Sequence, residues 1–244
     1  MKLSAAQLLQ RGSLRTVVLA STPGYGDVTM RFKAVPMTDL LPARYARPEL
    51  SLVFECLDGF AATIPAARVL GQAPDGPRAF LAIEDPASPW PPLKKQPQAT
   101  AGPFYLIWQT GPSMRVAHEE WPYQIFRISV REAEGEFRGI APMGEADSKA
   151  KAGFEIFVRN CSPCHRLNGV GSSEVGPDLN SPMNPTEYFR EGIFEKYVRD
   201  PASLLRWPDQ KMPSFPPEVL TDAELSQLRA YLATMARHKK APSP

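Results

Sequence analysis

The sequence predicts two domains of different class: an α+β domain, mainly mixed β, over residues 1–143 and an all-α domain over 151–240, joined by a linker at 144–150. Three observations carry this expectation. Up to about residue 145 the apolar residues fall in short runs cut by proline and glycine, whereas beyond it they recur at helical spacing. Prolines number 27 among 244 residues, roughly twice the usual share, which favours loops and edge turns over long helices. The stretch at 141–150, APMGEADSKA, is small and polar and carries Pro142 and Gly144, as suits a connection between domains.

Taken in order, the first domain should hold helical turns at 3–9, 38–41 and 65–70 and strands at 14–20, 28–35, 50–56, 80–83, 104–108 and 123–130. The strand at 28–35 is the clearest, with Val28, Met30, Phe32 and Ala34 on one face and Thr29, Arg31 and Lys33 on the other. Residues 85–103 carry six prolines, at 86, 89, 91, 92, 97 and 103, and so must be an irregular excursion. His118, Glu119 and Glu120 are adjacent, but neighbours on extended backbone face opposite ways, so a partly exposed loop histidine is expected rather than a site. In the second domain Ser148 opens a helix running to Asn160. Thr221 and Glu224 make a reciprocal capping pair for a last helix at 222–238, with Leu225, Leu228, Tyr231, Leu232 and Met235 on its buried side. The basic run at Arg237–His238–Lys239–Lys240 then complements the helix dipole.

Charge excludes further classes. The 28 Lys plus Arg and 26 Asp plus Glu leave a net charge of +2, and the two halves are each nearly balanced, so no nucleic-acid partner is expected. No apolar run approaches the roughly 18 residues that span a bilayer. The first twenty residues are interrupted by Gln7, Gln10, Arg11 and Arg15 and do not read as a secretory signal peptide.

Residues 161–165, CSPCH, hold the chemistry. Cys161, Cys164 and His165 form the C-x-x-C-H pattern of covalent c-type haem attachment. Two thiols three positions apart can each add to a vinyl group of one porphyrin, and the adjacent histidine is then held beneath the iron. A disulfide, a zinc half-site and a redox dithiol are the competing readings. Zinc needs further ligands, yet Cys56, His118 and His238 are scattered, and a redox dithiol belongs at a strand-to-helix turn. The pattern therefore favours haem.

From about 148 to 240 the chain resembles a class I cytochrome c: KAGFEIFVRNCSPCH, then GPDLN at 176–180, KMPSF at 211–215, and TDAELSQLRAYLATM in the last helix. The resemblance implies one covalent haem c, a crossing of Gly153 and Phe157 against Tyr231, and a Pro177 carbonyl accepting the Nδ1 proton of His165. It implies a methionine as the second axial ligand, with Met212 in the family's position and Met183 the alternative. It also implies that Trp207 contacts a haem propionate, a packed aromatic being the alternative; Arg206 either pairs with the same propionate or is an ordinary solvated arginine. Lys196, Lys211, Lys239 and Lys240 are either an acidic-partner face or an ordinary mixed surface. With both axial positions filled, an electron carrier is expected rather than an enzyme, and no catalytic residue is assigned.

The first domain resembles the molybdopterin-binding domain of sulfite-oxidase-like proteins, through FKAVPMTDLL at 32–41, FECLDGFAATIP at 54–65, and FLAIEDPASPWPPLK followed by GPFYLIW at 80–108. It departs from that family where function resides. No cysteine precedes Pro36, so the family's molybdenum ligand is missing; Cys56 follows that segment and is expected to be a buried thiol. Tyr105 replaces the arginine that contacts the pterin phosphate. A cofactor-free docking scaffold is expected and molybdopterin is not, the alternative being an oxidoreductase subunit whose first domain binds molybdopterin or another small ligand. Redox proteins, including a larger respiratory or dehydrogenase complex, are the expected partners. A periplasmic location after export follows from haem attachment, the signal lying outside this sequence.

Overall fold

The computed structural model describes residues 4–71, 76–94, 96–111, 116–142, 147–206 and 210–240. The chain divides into two compact units: Met1–Asp58 with Ala62–Ala133, and Gly59–Ala61 with Glu134–Pro244. The first combines antiparallel sheets with short helices; the second is helical.

In chain order the first unit contains α1 (Ala5–Leu9), β1 (Arg15–Leu19), β2 (Met30–Pro36), α2 (Met37–Leu40), β3 (Leu50–Cys56), β4 (Ala61–Pro65), α3 (Ala66–Leu70), β5 (Arg78–Ile83), β6 (Phe104–Gln109) and β7 (Ile125–Glu132). Four strands form a sheet in the order β1-β2-β5-β6, and three form another in the order β4-β3-β7. Alternation places Val17, Met30, Phe32, Ala34, Phe80, Ala82, Tyr105 and Ile107 in one core cluster, as period-two side chains on a half-covered sheet require. The proline-rich excursion supplies the cover: Trp90, Leu93 and Ala101 join that cluster. Glu84 holds it there, accepting from Trp90 N at 2.8 Å and Thr100 Oγ1 at 3.0 Å. Phe32 meets Trp90 and Tyr105 edge-on, with ring centroids 5.2 and 5.8 Å apart.

Three details depart from the sequence reading. Val28 is not on the buried face of β2; it is 54% exposed, because the partner strand ends where Leu19 pairs with Met30. Strand β4 was not anticipated, since AATIP is short and alanine-rich. His118–Glu120 is a one-turn 3₁₀ helix rather than extended chain. Within it Glu120 receives both Arg68 Nε and, at 2.8 Å, Arg68 Nη2, while its carbonyl accepts from Trp108 Nε1 at 2.7 Å.

The second unit contains α4 (Ala133–Phe137), α5 (Ser148–Ile156), α6 (Pro185–Tyr188), α7 (Ile193–Arg199), α8 (Pro201–Leu204) and α9 (Asp222–Ala236). Asp147 caps α5, accepting from Lys149 N at 3.1 Å. The chain does not continue as α-helix to Asn160: from Phe157 to Cys161 it widens into a π turn, with Ser162 N reaching back to Phe157 O at 2.9 Å. Helix α9 has the expected Thr221–Glu224 capping box and buries Leu225, Leu228, Tyr231, Leu232 and Met235. Helices α5 and α9 cross at Gly153, where a Cβ would lie 2.0 Å from Gln227 O; only glycine permits that approach. Tyr231 then packs on Phe154 and Phe157, at centroid distances of 5.7 and 5.6 Å, and donates to Ile140 O at 2.9 Å.

Candidate haem site

The π turn sets the attachment segment. It brings Cys161 O within reach of Cys164 N at 3.0 Å and His165 N at 2.8 Å, closing one tight turn that holds both cysteines and the histidine. The side chains of Cys161, Cys164 and His165 are half-buried, while Ser162 and Pro163 between them are buried. The two cysteines form no disulfide with each other.

A second segment lines this turn. Gly176 N donates to Cys164 O at 2.7 Å and Leu179 N to Arg166 O at 2.8 Å. His165 Nδ1 lies 2.8 Å from Pro177 O; a carbonyl can only accept, so Nδ1 carries the proton and Nε2 keeps its lone pair for a metal ion. Burial pushes the imidazole toward its neutral form, opposed by the Pro177 carbonyl and the charge of Asp178. Neutral imidazole is the form that ligates. Gly176 makes room for the ring: a Cβ there would stand 2.4 Å from His165 Cε1.

Asp178 organises the segment from below. Its Oδ1 accepts from Asn168 N, Asn180 N and Ser181 N at 3.0, 2.8 and 3.0 Å, and its Oδ2 from Gly169 N at 2.6 Å. Three asparagines then tie it to the end of α9. Asn168 Nδ2 donates to His238 O, Asn180 Nδ2 to Met235 O, and Asn184 Nδ2 to Leu232 O, at 2.9, 2.8 and 3.0 Å. All three acceptors are backbone carbonyls within the last two turns of α9 or just past its end. His238 and Arg237 bond the same helix end, through Thr234 O at 2.9 Å and Ala233 O at 3.3 Å.

Met212 is half-buried and packed against the second unit's core cluster, whereas Met183 is 50% exposed. Trp207 lies outside the described residues. Arg206, Lys196 and Lys211 are exposed; Lys239 is engaged, 2.6 Å from Glu187 Oε2. Among the described residues no group of three or more His, Cys, Asp or Glu is placed to hold a metal ion, which gives the zinc reading no support. The donor set fits haem: two thiols and an imidazole on one turn, with Nδ1 anchored and a glycine clearing the ring.

In the first unit Cys56 is buried, and burial together with the charges of Asp58 and Glu55 pushes its thiol far above the ordinary range. Both effects disfavour the thiolate, the form that acts as a nucleophile. Tyr105 is fully buried, its hydroxyl accepting from Gly24 N at 3.2 Å. The sequence reading missed Gly176, Asp178 and the asparagine triad. Gly176, Asp178 and Asn180 fall in the GPDLN motif quoted above, which gave them no role, Asn184 follows close behind, and Asn168 carried no signal.

Residues 150–236 match the family model described as cytochrome c. Comparisons with curated proteins and with solved structures gave no match. Among the described residues no helix is long and apolar enough to cross a membrane. The match supports a c-type cytochrome domain in the C-terminal part of the chain, with covalent haem c and haem-based electron transfer.

Proposed function

We propose that the chain is a monohaem electron-transfer protein, with haem c held through Cys161 and Cys164 and ligated axially by His165 and Met212. The observation that carries it is the hydrogen bond from His165 Nδ1 to Pro177 O, on the same turn as both cysteines. That bond fixes the ring orientation and tautomer before any ligand arrives. Bound there, haem supplies a one-electron ferric–ferrous couple. Met212 contributes a soft thioether, which favours the ferrous form and raises the potential relative to a second nitrogen ligand. The protein then makes and breaks no substrate bond; the buried frame of α5 and α9 limits rearrangement as charge changes.

For the N-terminal domain, which the sequence bounds at 1–143 ahead of a linker at 144–150, we propose a degenerate sulfite-oxidase-like scaffold that docks the cytochrome domain at 151–240 onto a redox complex. Tyr105 supports this, since its side chain fills an aromatic core where the related family carries a phosphate-binding arginine. The expected setting is an exported, periplasmic one, because thioether haem attachment takes place outside the cytoplasm.

Redox titration of the purified holoprotein tests the proposal. A single reversible one-electron wave is expected. Met212→Ala should lower the potential and admit carbon monoxide to the ferrous iron while Met183→Ala changes neither; the reverse pattern would overturn the ligand assignment. Stoichiometric molybdenum in the same preparation would overturn the scaffold reading of the first unit.

A further inference from the structure

We infer that Arg199 is a positioning residue for the methionine loop, its guanidinium holding the segment that carries Met212 between α7 and the start of α9. The inference rests on the reading of Met212 as the axial ligand. Among the described residues, 210–221 contain no helix or strand, and prolines at 213, 216 and 217 remove three backbone donors. One turn is closed locally, Val219 N and Leu220 N donating to Pro216 O at 2.9 and 3.0 Å, but the stretch from Met212 to Phe215 is held from outside the loop.

Arg199, the last residue of α7, holds it. Its Nη1 donates to Phe215 O at 2.7 Å and also to Leu220 O, and its Nη2 donates to Asp222 Oδ1 at 2.6 Å. Phe215 N meanwhile donates to Val198 O at 3.2 Å. Two carbonyls five positions apart in sequence thus converge on one planar cation, the nearer only three residues beyond Met212. Phe215 and Leu220 are both buried in the core, so water is a poor substitute donor. The Arg199 side chain is 20% exposed but that of Asp222 is 90% exposed. The carbonyl bonds therefore matter and the ion pair adds little. Lysine, with a single rotating ammonium, does not reproduce the fork.

Removing the fork should let the loop swing without dismantling the core, so that the methionine leaves the iron more often. The test uses the full-length holoprotein and two readouts: the weak near-red absorption band of ferric methionine-ligated haem, and carbon monoxide binding to the ferrous form. Arg199→Gln should weaken the band and speed carbon monoxide binding about tenfold, Arg199→Lys should fall between it and the parent, and Asp222→Asn should match the parent. Met212→Ala is run beside them. If it abolishes the band while Arg199→Gln retains both band and slow carbon monoxide binding, the positioning role is overturned. If Met212→Ala itself leaves the band intact, the ligand assignment beneath the proposal is what fails. Should Arg199→Gln not yield folded protein, Arg199→Lys decides alone: faster binding supports the role, and parental binding overturns it.

Discussion

Replacing Gly153 with alanine tests the helix crossing that supports the haem site. The added Cβ would lie 2.0 Å from Gln227 O, 2.6 Å from Gln227 C and 2.7 Å from Tyr231 Cβ. Ordinary non-bonded contacts need about 3.5 Å, and two of these three obstacles are backbone atoms that no rotamer can move. Helix α5 must therefore back away from α9 by roughly 1 Å or more, loosening Phe154 and Phe157 on Tyr231. Overpacking of this kind costs about 3 kcal/mol at the upper end of its range, and strain on the Tyr231–Ile140 hydrogen bond adds about 1 kcal/mol. Alanine's helix preference over glycine returns about 1 kcal/mol. The net loss of about 3 kcal/mol corresponds to a melting point lower by roughly 12 °C or more for a unit of this size. Thermal unfolding of the holoprotein, followed by helix circular dichroism, measures it. Gly12→Ala serves as the control, because no atom lies within 4 Å of its added Cβ. A Gly153→Ala melting point within roughly 3 °C of the parent would refute the reasoning.

Two further outcomes follow from the site. Gly176→Ala would push a methyl into the His165 ring; the thioethers should still form, but the absorption spectrum should show an altered axial ligand, and an unchanged spectrum would count against the cradle. Glu224 is held below its ordinary range first by the Thr221 backbone amide, with Arg159 adding to it. A carboxyl so depressed stabilises the fold above the unfolded glutamate range and loses that contribution as pH falls through its native value. Glu224→Gln should therefore be slightly less stable at neutral pH and lose stability less steeply between about pH 5 and 3, read by urea denaturation at each pH; a parental slope would contradict the assignment.

What was legible beforehand divides along physical lines. Strand β3 at 50–56 and the buried stripe of α9 were readable because each depends on local periodicity. The cysteine–histidine turn was readable because covalent attachment imposes its own spacing. Strand β4 was not, since its existence depends on pairing with β3 rather than on AATIP itself. The end of strand β2 was misjudged at Val28 because strand length is set by the partner. The bonds of Asn168 and Gly169 to Asp178 and of the asparagines to α9 were hidden for the same reason, since they satisfy backbone groups that only tertiary structure brings together; the π turn at 157–161 is local, but helical periodicity does not distinguish it from a continuing α-helix.

The central claim, that Cys161 and Cys164 are haem thioethers while Cys56 is a buried thiol, is tested most directly by alkylating the denatured holoprotein and measuring its intact mass and modified peptides. The chain has three cysteines. The account predicts the added mass of one haem, with a single alkylation at Cys56. Alkylation of all three cysteines, with no haem mass retained, would contradict it.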